Sequence, residues 1–228
     1  MNFAALFSGG KDSTFAISEL IQNGHNLNCL IVIHPISDES MLFHYPSTRL
    51  LKKISEVFDV PLIELQCSSS DKKSESNDLY NAIENATLSF PIAGLSHGCI
   101  SSNFQLNIIN KLCEKFDLDV LSPVWQIESD FYYKQLLDQG FEIMITRVAA
   151  GGLDQSWLGK IMTYPNYLKL RKLSKKFGFN MTFEGGEAET LVLDCPVFKK
   201  KVVVKESRVV WDGVRGIFEI AEVDLIKK

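Results

Sequence analysis

The sequence predicts an α/β protein: a parallel sheet with helices on both faces, followed by a smaller C-terminal α+β region. Short apolar strands alternate with helical segments through the first half of the chain, which indicates parallel strands joined by helical crossovers. The C-terminal segment instead has the pattern of successive antiparallel strands. The change of pattern near Trp125 predicts two domains, residues 1–125 and residues 126–228.

Five strands are predicted in the first domain. Each is a short run rich in apolar residues, and segments with apolar residues at helical spacing lie between the runs. The five runs are NFAALF, NCLIVI, PLIEL, FPIAGLSHG and DVLSPVW. After the third run, residues Cys67 to Asp78 contain almost no apolar side chain, so we predict a mobile loop there and a helix from Leu79 to Thr87.

The second domain is predicted to hold two helices that end at glycines. Residues Tyr132 to Gln139 precede Gly140, and residues Tyr164 to Phe177 precede Gly178; glycine is a common helix stop. Strands are predicted in FEIMITRVAA and TLVLD, an antiparallel hairpin in VFKKKVVVKESRVVWDG and a last strand in FEIAEVDL. An edge strand in this hairpin would allow a homodimer.

Composition narrows the classes of function. The chain has 228 residues, 46% of them hydrophobic, and a formal net charge of -4. This mildly negative net charge gives no support for nucleic-acid binding through contacts with backbone phosphates. No apolar run approaches the length of about 18 residues that a membrane span needs, and a cytoplasmic location is the simplest interpretation. The cysteines form no C-x-x-C pair, so neither a zinc site nor a disulfide framework is indicated.

The glycine-rich stretch FSGGKDST, Phe7 to Thr14, lies between the first strand and a helix that we expect to begin near Ser13. It is not a Walker phosphate loop, because Asp12 stands where that motif needs serine or threonine. Its two adjacent glycines do not fit the dinucleotide pattern G-x-G-x-x-G either. An ordinary strand-to-helix turn, capped by Asp12 or Ser13, is the alternative interpretation.

The residue types of this turn nevertheless suit a bound phosphate. Adjacent glycines let the backbone curl so that consecutive N–H groups point at an anion, and the helix N-terminus adds positive potential. Serine hydroxyls can donate to phosphate oxygens, lysine brings a full charge, and an aspartate beside a phosphate suggests a bridging Mg²⁺. The candidate phosphate-binding residues are Ser8, Gly9, Gly10, Lys11, Asp12 and Ser13, with Asp12 as the metal ligand.

A second unusual stretch is FEGGEAETLVLDCPVF, Phe183 to Phe198. Glu184, Glu187 and Glu189 lie close together in it, around a Gly-Gly pair. A solvated acidic turn that leads into the strand TLVLD would have the same composition. Composition alone therefore leaves a structural turn and a functional carboxylate cluster as equal alternatives.

Both stretches resemble motifs of known enzymes. SGGKDS matches the S-G-G-x-D-S signature of the ATP pyrophosphatase (PP-loop) superfamily, and EGGEAETLVLDCP is similar to the E-G-G-E-x-E-T-L-V-x-D-x-P motif of diphthine–ammonia ligases. FHYPSTRLL and SHGCISSNFQ also resemble segments of that family, with departures at Ser47, His97-Gly98 and Phe104. The resemblance spans nearly the whole chain. It implies a Rossmann-like PP-loop domain of the adenine nucleotide alpha hydrolase type, followed by a substrate-binding domain.

The resemblance also implies a reaction. ATP adenylates the carboxylate of diphthine, a modified histidine on translation elongation factor 2. Ammonia then attacks the acyl-adenylate to give diphthamide, AMP and pyrophosphate. The glycine turn, with Lys11 and Mg²⁺, would stabilise the departing β- and γ-phosphates. The nucleotide would also lie near Ile33, His34 and Gly98, at the ends of other strands.

The same resemblance gives the glutamates a role in the ammonia step. Diphthine carries a quaternary ammonium group, and the second substrate is ammonia. Carboxylates could attract the cation and accept a proton from ammonium. Glu187 and Glu189 are the preferred catalytic candidates, and Glu184 is the third.

Three other functions remain open on the sequence. A tRNA-thiolating pyrophosphatase of the same superfamily would need a sulfur-carrying cysteine, and Cys99 and Cys195 lie beside motifs that could face the site. An amide ligase could act on a different carboxylate. A nucleotide-sensing module could bind ATP or AMP and hydrolyse nothing.

Overall fold

The computed structural model describes residues 1–36, 48–69 and 71–228. The chain divides into two compact units, Met1–Trp125 and Gln126–Lys228. His44 and Ser47 of the stretch FHYPSTRLL lie outside the described residues. In the described ranges, no helix combines the length and the apolar character that crossing a membrane requires.

The first unit is built on a parallel sheet. Its strands are β1 (Asn2–Leu6), β2 (Asn26–His34), β3 (Leu62–Gln66), β4 (Gly94–Ser96) and β5 (Asp119–Leu121). Its helices are α1 (Lys11–Gln22), α2 (Thr48–Ser55), α3 (Lys72–Ser89) and α4 (Asn103–Lys115). The strand order is β3-β2-β1-β4-β5, and every neighbouring pair is parallel.

Both faces of this sheet are covered. Successive residues of a strand point to opposite faces, yet Leu30, Ile31 and Val32 of β2 are all at most 1% exposed. Ile31 belongs to one buried cluster with Ile83 of α3 and Leu112 of α4. Burying an aliphatic side chain of this size contributes about 1.5–3 kcal/mol. The predicted α/β architecture is confirmed.

Helix α1 begins earlier than predicted. Its first residue is Lys11, and Gly10 is the N-cap residue, with extended backbone angles (φ -74°, ψ 168°). The predicted start near Ser13 is therefore wrong, and Asp12 and Ser13 lie inside the first turn instead of at the cap. Because glycine has no capping side chain, the N–H groups of the first turn can serve an anion.

The predicted mobile loop over Cys67 to Asp78 is also wrong, because α3 already begins at Lys72. The carboxylate of Asp71, the N-cap residue, accepts two backbone N–H groups of the first turn. The carboxylate of Asp78 accepts the backbone N–H and the hydroxyl of Ser68, which ties the end of β3 to the helix. The polar residues of this stretch cap and anchor a helix.

The second unit contains an antiparallel sheet and covering helices. Its strands are β6 (Glu142–Val148), β7 (Ala188–Asp194), β8 (Lys200–Trp211) and β9 (Gly216–Lys227), in the order β7-β6-β9-β8. Its helices are α5 (Ser129–Asp138), a short 3-10 helix (Gln155–Trp157) and α6 (Tyr164–Phe177). Helix α6 ends at Gly178, which has the left-handed φ of 77°. The predicted C-terminal α+β region is confirmed.

The hairpin predicted within VFKKKVVVKESRVVWDG is wrong. Most of these residues form the single long strand β8, whose hairpin partner is β9. The chain reverses at Asp212–Arg215, where Asp212 accepts the N–H groups of Val214 and Arg215. The polar residues Lys205, Glu206 and Ser207 of β8 coincide with a register shift at Glu206. A bulge accommodates this irregularity without reversing the chain.

Candidate functional site

The candidate phosphate-binding residues lie at the carboxyl edge of the parallel sheet. Open α/β sheets bind ligands at this edge, at the point where the strand order reverses. That point lies between β1 and β4, since β2 and β3 extend the sheet on one side of β1 and β4 and β5 extend it on the other. We call Ser8–Ser13, which follow β1, the phosphate turn. His97 and Gly98 follow β4, so the two segments emerge from neighbouring strands.

Two serines hold the phosphate turn in a closed form. The backbone N–H of Ser8 donates to the Ser13 hydroxyl at 3.2 Å, and the two hydroxyl oxygens lie 3.0 Å apart. The N–H of Gly10 donates to the Ser8 hydroxyl at 3.4 Å. Gly9 has φ +74°, a conformation that favours glycine. Backbone N–H groups and hydroxyls are thus gathered on one tight curve, which suits an anion.

Lys11 and Asp12 form an ion pair within the turn. Lys11 Nζ lies 2.8 Å and 2.9 Å from the two carboxylate oxygens of Asp12. Lys11 is 1% exposed, whereas the side chain of Asp12 is 28% exposed. The carboxylate therefore balances the buried ammonium and still presents part of its surface to a ligand.

The residues present fit a nucleotide-bound Mg²⁺. Such an ion is held by one or two carboxylates, with phosphate oxygens and waters completing the octahedron. The partly exposed carboxylate of Asp12 would provide one such ligand. Among the residues that the structure describes, no three His, Cys, Asp or Glu side chains group closely enough to hold a metal without a nucleotide. The remaining ligands would come from phosphate and water.

Gly98 lies directly against the phosphate turn. A Cβ atom at this position would lie 2.4 Å from the backbone nitrogen of Ser13 and 2.8 Å from the carbonyl carbon of Asp12, so no larger residue fits. Ile33 and His34 end β2 at the same edge of the sheet. Nε2 of His34 lies 2.9 Å from a carboxylate oxygen of Glu64. The imidazole of His34 is therefore already bonded within the protein.

The second candidate segment, Glu184–Glu189, leads into β7, and we call it the glutamate turn. Oε1 of Glu187 accepts the backbone N–H of Asn180 at 3.1 Å and so closes the loop before the turn. A Cβ at Gly185 would lie 2.8 Å from this same Oε1, and Gly186 has φ +80°. Oε2 of Glu187 is buried and has no hydrogen-bond partner in the described part of the chain. One oxygen is hydrogen-bonded to the backbone, and the other is buried without a partner among the described residues.

Glu189 has a different environment from Glu187. It lies opposite Arg147 in the register of β6 and β7, and its Oε1 is 3.0 Å from Nη1 of Arg147. The two side chains are only 13% and 19% exposed, so solvent screens the pair weakly. The guanidinium compensates the charge of Glu189, which makes this carboxylate less able to attract a cationic substrate. Glu184 is partly buried.

Two family profiles match the chain. One, described as the diphthamide synthase N-terminal domain, matches residues 1–120. The other, described as the diphthamide synthase C-terminal domain, matches residues 128–226. The chain belongs to the diphthamide synthase family.

Curated relatives of this chain carry the name diphthine–ammonia ligase. The human protein is 32% identical over 92% of this chain and 85% of its own length. The bovine protein is 32% identical over 97% of this chain and 89% of its own length. The Schizosaccharomyces pombe protein is 33% identical over 92% of this chain, but the chain spans only 37% of that relative. The predicted family and the predicted enzyme class, a ligase, are confirmed.

A solved structure, described as a predicted subunit of tRNA methyltransferase from Methanocaldococcus jannaschii, aligns with 86% of this chain and 98% of its own. The TM-score is 0.45 and the sequence identity is 16%. Membership of the diphthamide synthase family rests on the sequence matches and does not depend on this similarity.

Glu75 was not predicted as a site residue. It is 1% exposed, and neither of its carboxylate oxygens has a hydrogen-bond partner among the described residues. A buried unpaired carboxylate is costly, and such groups mark candidate functional sites. Glu75 lies one helical turn before Asp78, which binds Ser68 just beyond β3. The sequence does place Glu75 and Asp78 three positions apart after a strand, a spacing that puts both on one face of a helix. Because this stretch was predicted to be a loop, that spacing was not interpreted.

We expect Glu75→Gln to raise the free energy of unfolding by about 1–2 kcal/mol, because it removes a buried carboxylate that has no partner among the described residues. If the carboxylate serves the ligase reaction, the same change lowers turnover. Thermal unfolding and an assay for the amide product measure the two effects. Glu114→Gln, on an exposed position of α4, removes the same charge and should change neither quantity. Lower stability combined with full turnover would contradict this interpretation of Glu75.

The cysteines considered for sulfur transfer are buried. Cys195 is 1% exposed, and burial raises the pKa of its thiol to about 12. Cys99 is 7% exposed, and its Sγ donates to the carbonyl of Ser102 at 3.4 Å. The thiolate is the nucleophilic form of cysteine, so a buried, protonated thiol is poorly reactive. This environment disfavours the thiolation alternative.

A double variant, Cys99→Ala with Cys195→Ala, should therefore release AMP and pyrophosphate within about threefold of the unmodified rate, because no interaction of the transition state is removed. Pyrophosphate release at a temperature where both proteins remain folded, checked by circular dichroism, is the measurement. Loss of activity from a folded double variant would favour sulfur chemistry.

Proposed function

We propose that this chain is an ATP-dependent amide ligase that converts diphthine to diphthamide. The carboxylate of diphthine is adenylated with release of pyrophosphate, and ammonia then displaces AMP from the acyl-adenylate. The proposed protein substrate is diphthine-modified translation elongation factor 2, and the proposed cofactors are ATP and Mg²⁺. The observation that carries this proposal is the phosphate turn, where an uncapped helix start, Lys11 and Asp12 fit a departing pyrophosphate.

The phosphate turn suits the activation step. A carboxylate oxygen attacks the α-phosphorus of ATP, and the bond from that phosphorus to the β,γ-pyrophosphate breaks. Negative charge grows on the leaving group, where backbone N–H groups of the turn and the ammonium of Lys11 can stabilise it. Asp12 would hold Mg²⁺, which supplies further charge compensation to the phosphates.

The glutamate turn suits the ammonia step. Ammonium must lose one proton before its nitrogen can attack the acyl carbon. The bond to AMP then breaks, and the nitrogen loses a second proton to solvent to give the neutral amide. Oε2 of Glu187, which is buried and unpartnered in the described chain, is the proposed proton acceptor. The paired Arg147 and Glu189 are proposed to fix the position of the adjoining strand. Glu184 and Glu187 are proposed to attract the quaternary ammonium of diphthine.

One experiment separates this proposal from its alternatives. The chain is incubated with Mg²⁺-ATP, an ammonium salt and diphthine-modified elongation factor 2, and AMP, pyrophosphate and the amide are measured. Amide formation that requires the modified factor supports the proposal. AMP and pyrophosphate formed with another carboxylate would instead support a ligase of different specificity. ATP binding without any AMP formation would support a nucleotide-sensing module.

The predicted homodimer and the cytoplasmic location stay predictions. Strand β8 lies at the end of the order β7-β6-β9-β8, so one of its edges is not paired with a strand of this sheet. Val209 and Val210 of β8 are 40% and 47% exposed. An exposed edge with apolar residues favours association with a second strand. Light scattering of the purified chain measures its mass in solution.

A further inference from the structure

His97 is a buried residue that the proposed reaction does not use. It follows β4, is 2% exposed and uses both ring nitrogens in hydrogen bonds. Nδ1 accepts the backbone N–H of Cys99 at 3.1 Å, and Nε2 lies 2.7 Å from the hydroxyl of Ser122, which follows β5. Because Nδ1 accepts, the ring hydrogen of neutral histidine is on Nε2 and is donated to Ser122. The imidazole therefore fixes the backbone of residues 97–99.

The residue that these bonds enclose is Gly98, which lies against the phosphate turn. A Cβ at Gly98 would lie 2.4 Å from the Ser13 nitrogen and 2.8 Å from the Ser13 Cα, so the two backbones are already in contact. Movement of residues 97–99 toward α1 is blocked by this contact, and movement away is opposed by the two bonds of the imidazole. The positions of residues 97–99 and of the phosphate turn are thereby coupled.

We propose that His97 is a positioning residue for the phosphate turn. Its two hydrogen bonds hold Gly98 against the first turn of α1 and so set where the N–H groups of Asp12 and Ser13 lie. The consequence for catalysis rests on the proposed function, because it assumes that these N–H groups bind the β- and γ-phosphates. The mechanical part, that His97 holds the turn, does not depend on any ligand.

Amide hydrogen exchange of the full chain without nucleotide tests the mechanical part. His97→Leu removes both hydrogen bonds at similar volume. His97→Asn keeps an acceptor near the position of Nδ1, and Ser122→Ala removes only one bond and serves if His97→Leu does not fold. Because His97→Leu leaves a buried donor unpaired, exchange in the peptide over Ser8–Thr14 should rise roughly tenfold in this variant. The rise should be smaller in His97→Asn.

Leu112→Ala is the matched control. Leu112 of α4 is buried in the core, so its replacement should destabilise the unit without acting on the phosphate turn. We expect it to lower the melting temperature while the peptide over Ser8–Thr14 exchanges no faster than the rest of the unit. Unchanged exchange of that peptide in both His97→Leu and Ser122→Ala, or the same pattern in Leu112→Ala, would overturn the proposal.

Calorimetric titration with Mg²⁺-ATP and with AMP tests the consequence for ligands. AMP lacks the β- and γ-phosphates, so His97→Leu should weaken ATP binding roughly tenfold and leave AMP binding nearly unchanged. Equal weakening of both ligands would overturn the positioning role and indicate general destabilisation. If the unmodified chain binds ATP no more tightly than AMP, the proposed phosphate site fails, while hydrogen exchange still decides whether His97 holds the turn.

Discussion

Replacing Lys11 with methionine should nearly abolish the release of AMP and pyrophosphate. Methionine retains much of the buried side-chain volume but has no charge. Lys11 is 1% exposed, and its Nζ lies 2.8 Å from the carboxylate of Asp12. The substitution removes the cation proposed to stabilise the leaving group and leaves Asp12 unbalanced beside incoming phosphates. Loss of one preorganised interaction of this kind lowers the rate about 10²–10³-fold.

Pyrophosphate release at saturating ATP, with modified elongation factor and ammonium present, measures this effect. Lys111→Met, at an exposed position of α4, removes the same charge from the same unit and should leave the rate unchanged. Asp12→Asn extends the test. Because Lys11 and Asp12 form one ion pair, the losses of rate in the two single variants should not add in the double variant Lys11→Met, Asp12→Asn. Near-normal release from a folded Lys11→Met variant would show that Lys11 does not contact the departing phosphates.

The fold of the first unit was predictable because its signals are local. A short apolar run such as NFAALF has few alternatives to a buried strand, and the helical spacing between the runs indicates crossovers. Cys67 to Asp78 was misjudged because polar composition is the same whether the side chains face solvent or cap a helix. Only the carboxylate bonds of Asp71 and Asp78 distinguish the two. The hairpin predicted within VFKKKVVVKESRVVWDG was wrong for a similar reason, since the polar residues at the bulge of β8 are of types that also occupy turns.

The phosphate turn was predictable for the same reason, since its bonds join residues at most five positions apart. The contacts that differentiate the site residues are long-range. Arg147 and Glu189 are 42 positions apart, and Gly98 meets the turn only because β4 lies next to β1. The three glutamates are alike in the sequence, and tertiary neighbours alone make Glu187 and Glu189 different.

Glu187→Gln should stop amide formation while ATP activation continues. Glutamine keeps a carbonyl oxygen that can accept the N–H of Asn180, so the hydrogen bond that closes the loop survives. The negative charge and the capacity to take a proton from ammonium are lost. Removal of a positioned general base lowers a rate about 10²–10⁴-fold. The amide product should fall by this factor, whereas isotope exchange between pyrophosphate and ATP should persist in the presence of the modified factor.

Hydroxylamine as an alternative nucleophile distinguishes the loss of a general base from a structural disturbance of the site. Near neutral pH hydroxylamine is already unprotonated, so it can attack an acyl-adenylate without help from a carboxylate. The Glu187→Gln variant should therefore form the hydroxamate at close to the unmodified rate while forming little amide. Glu189→Gln is the comparison, because it weakens the pair with Arg147. If that pair only positions the strand, both products should fall together in Glu189→Gln.

The pattern across the two nucleophiles then assigns the carboxylates. Equal loss of the amide and the hydroxamate in Glu187→Gln would show that Glu187 only stabilises the loop, through its hydrogen bond with Asn180. Selective loss of the amide in Glu189→Gln instead would make Glu189 the base, with Arg147 setting its basicity. The expected selectivity for Glu187 follows from its two oxygens, because one is satisfied by a backbone N–H and the other is buried with no partner in the described chain. A buried oxygen left in that state is stabilised when a protonated substrate nitrogen reaches it.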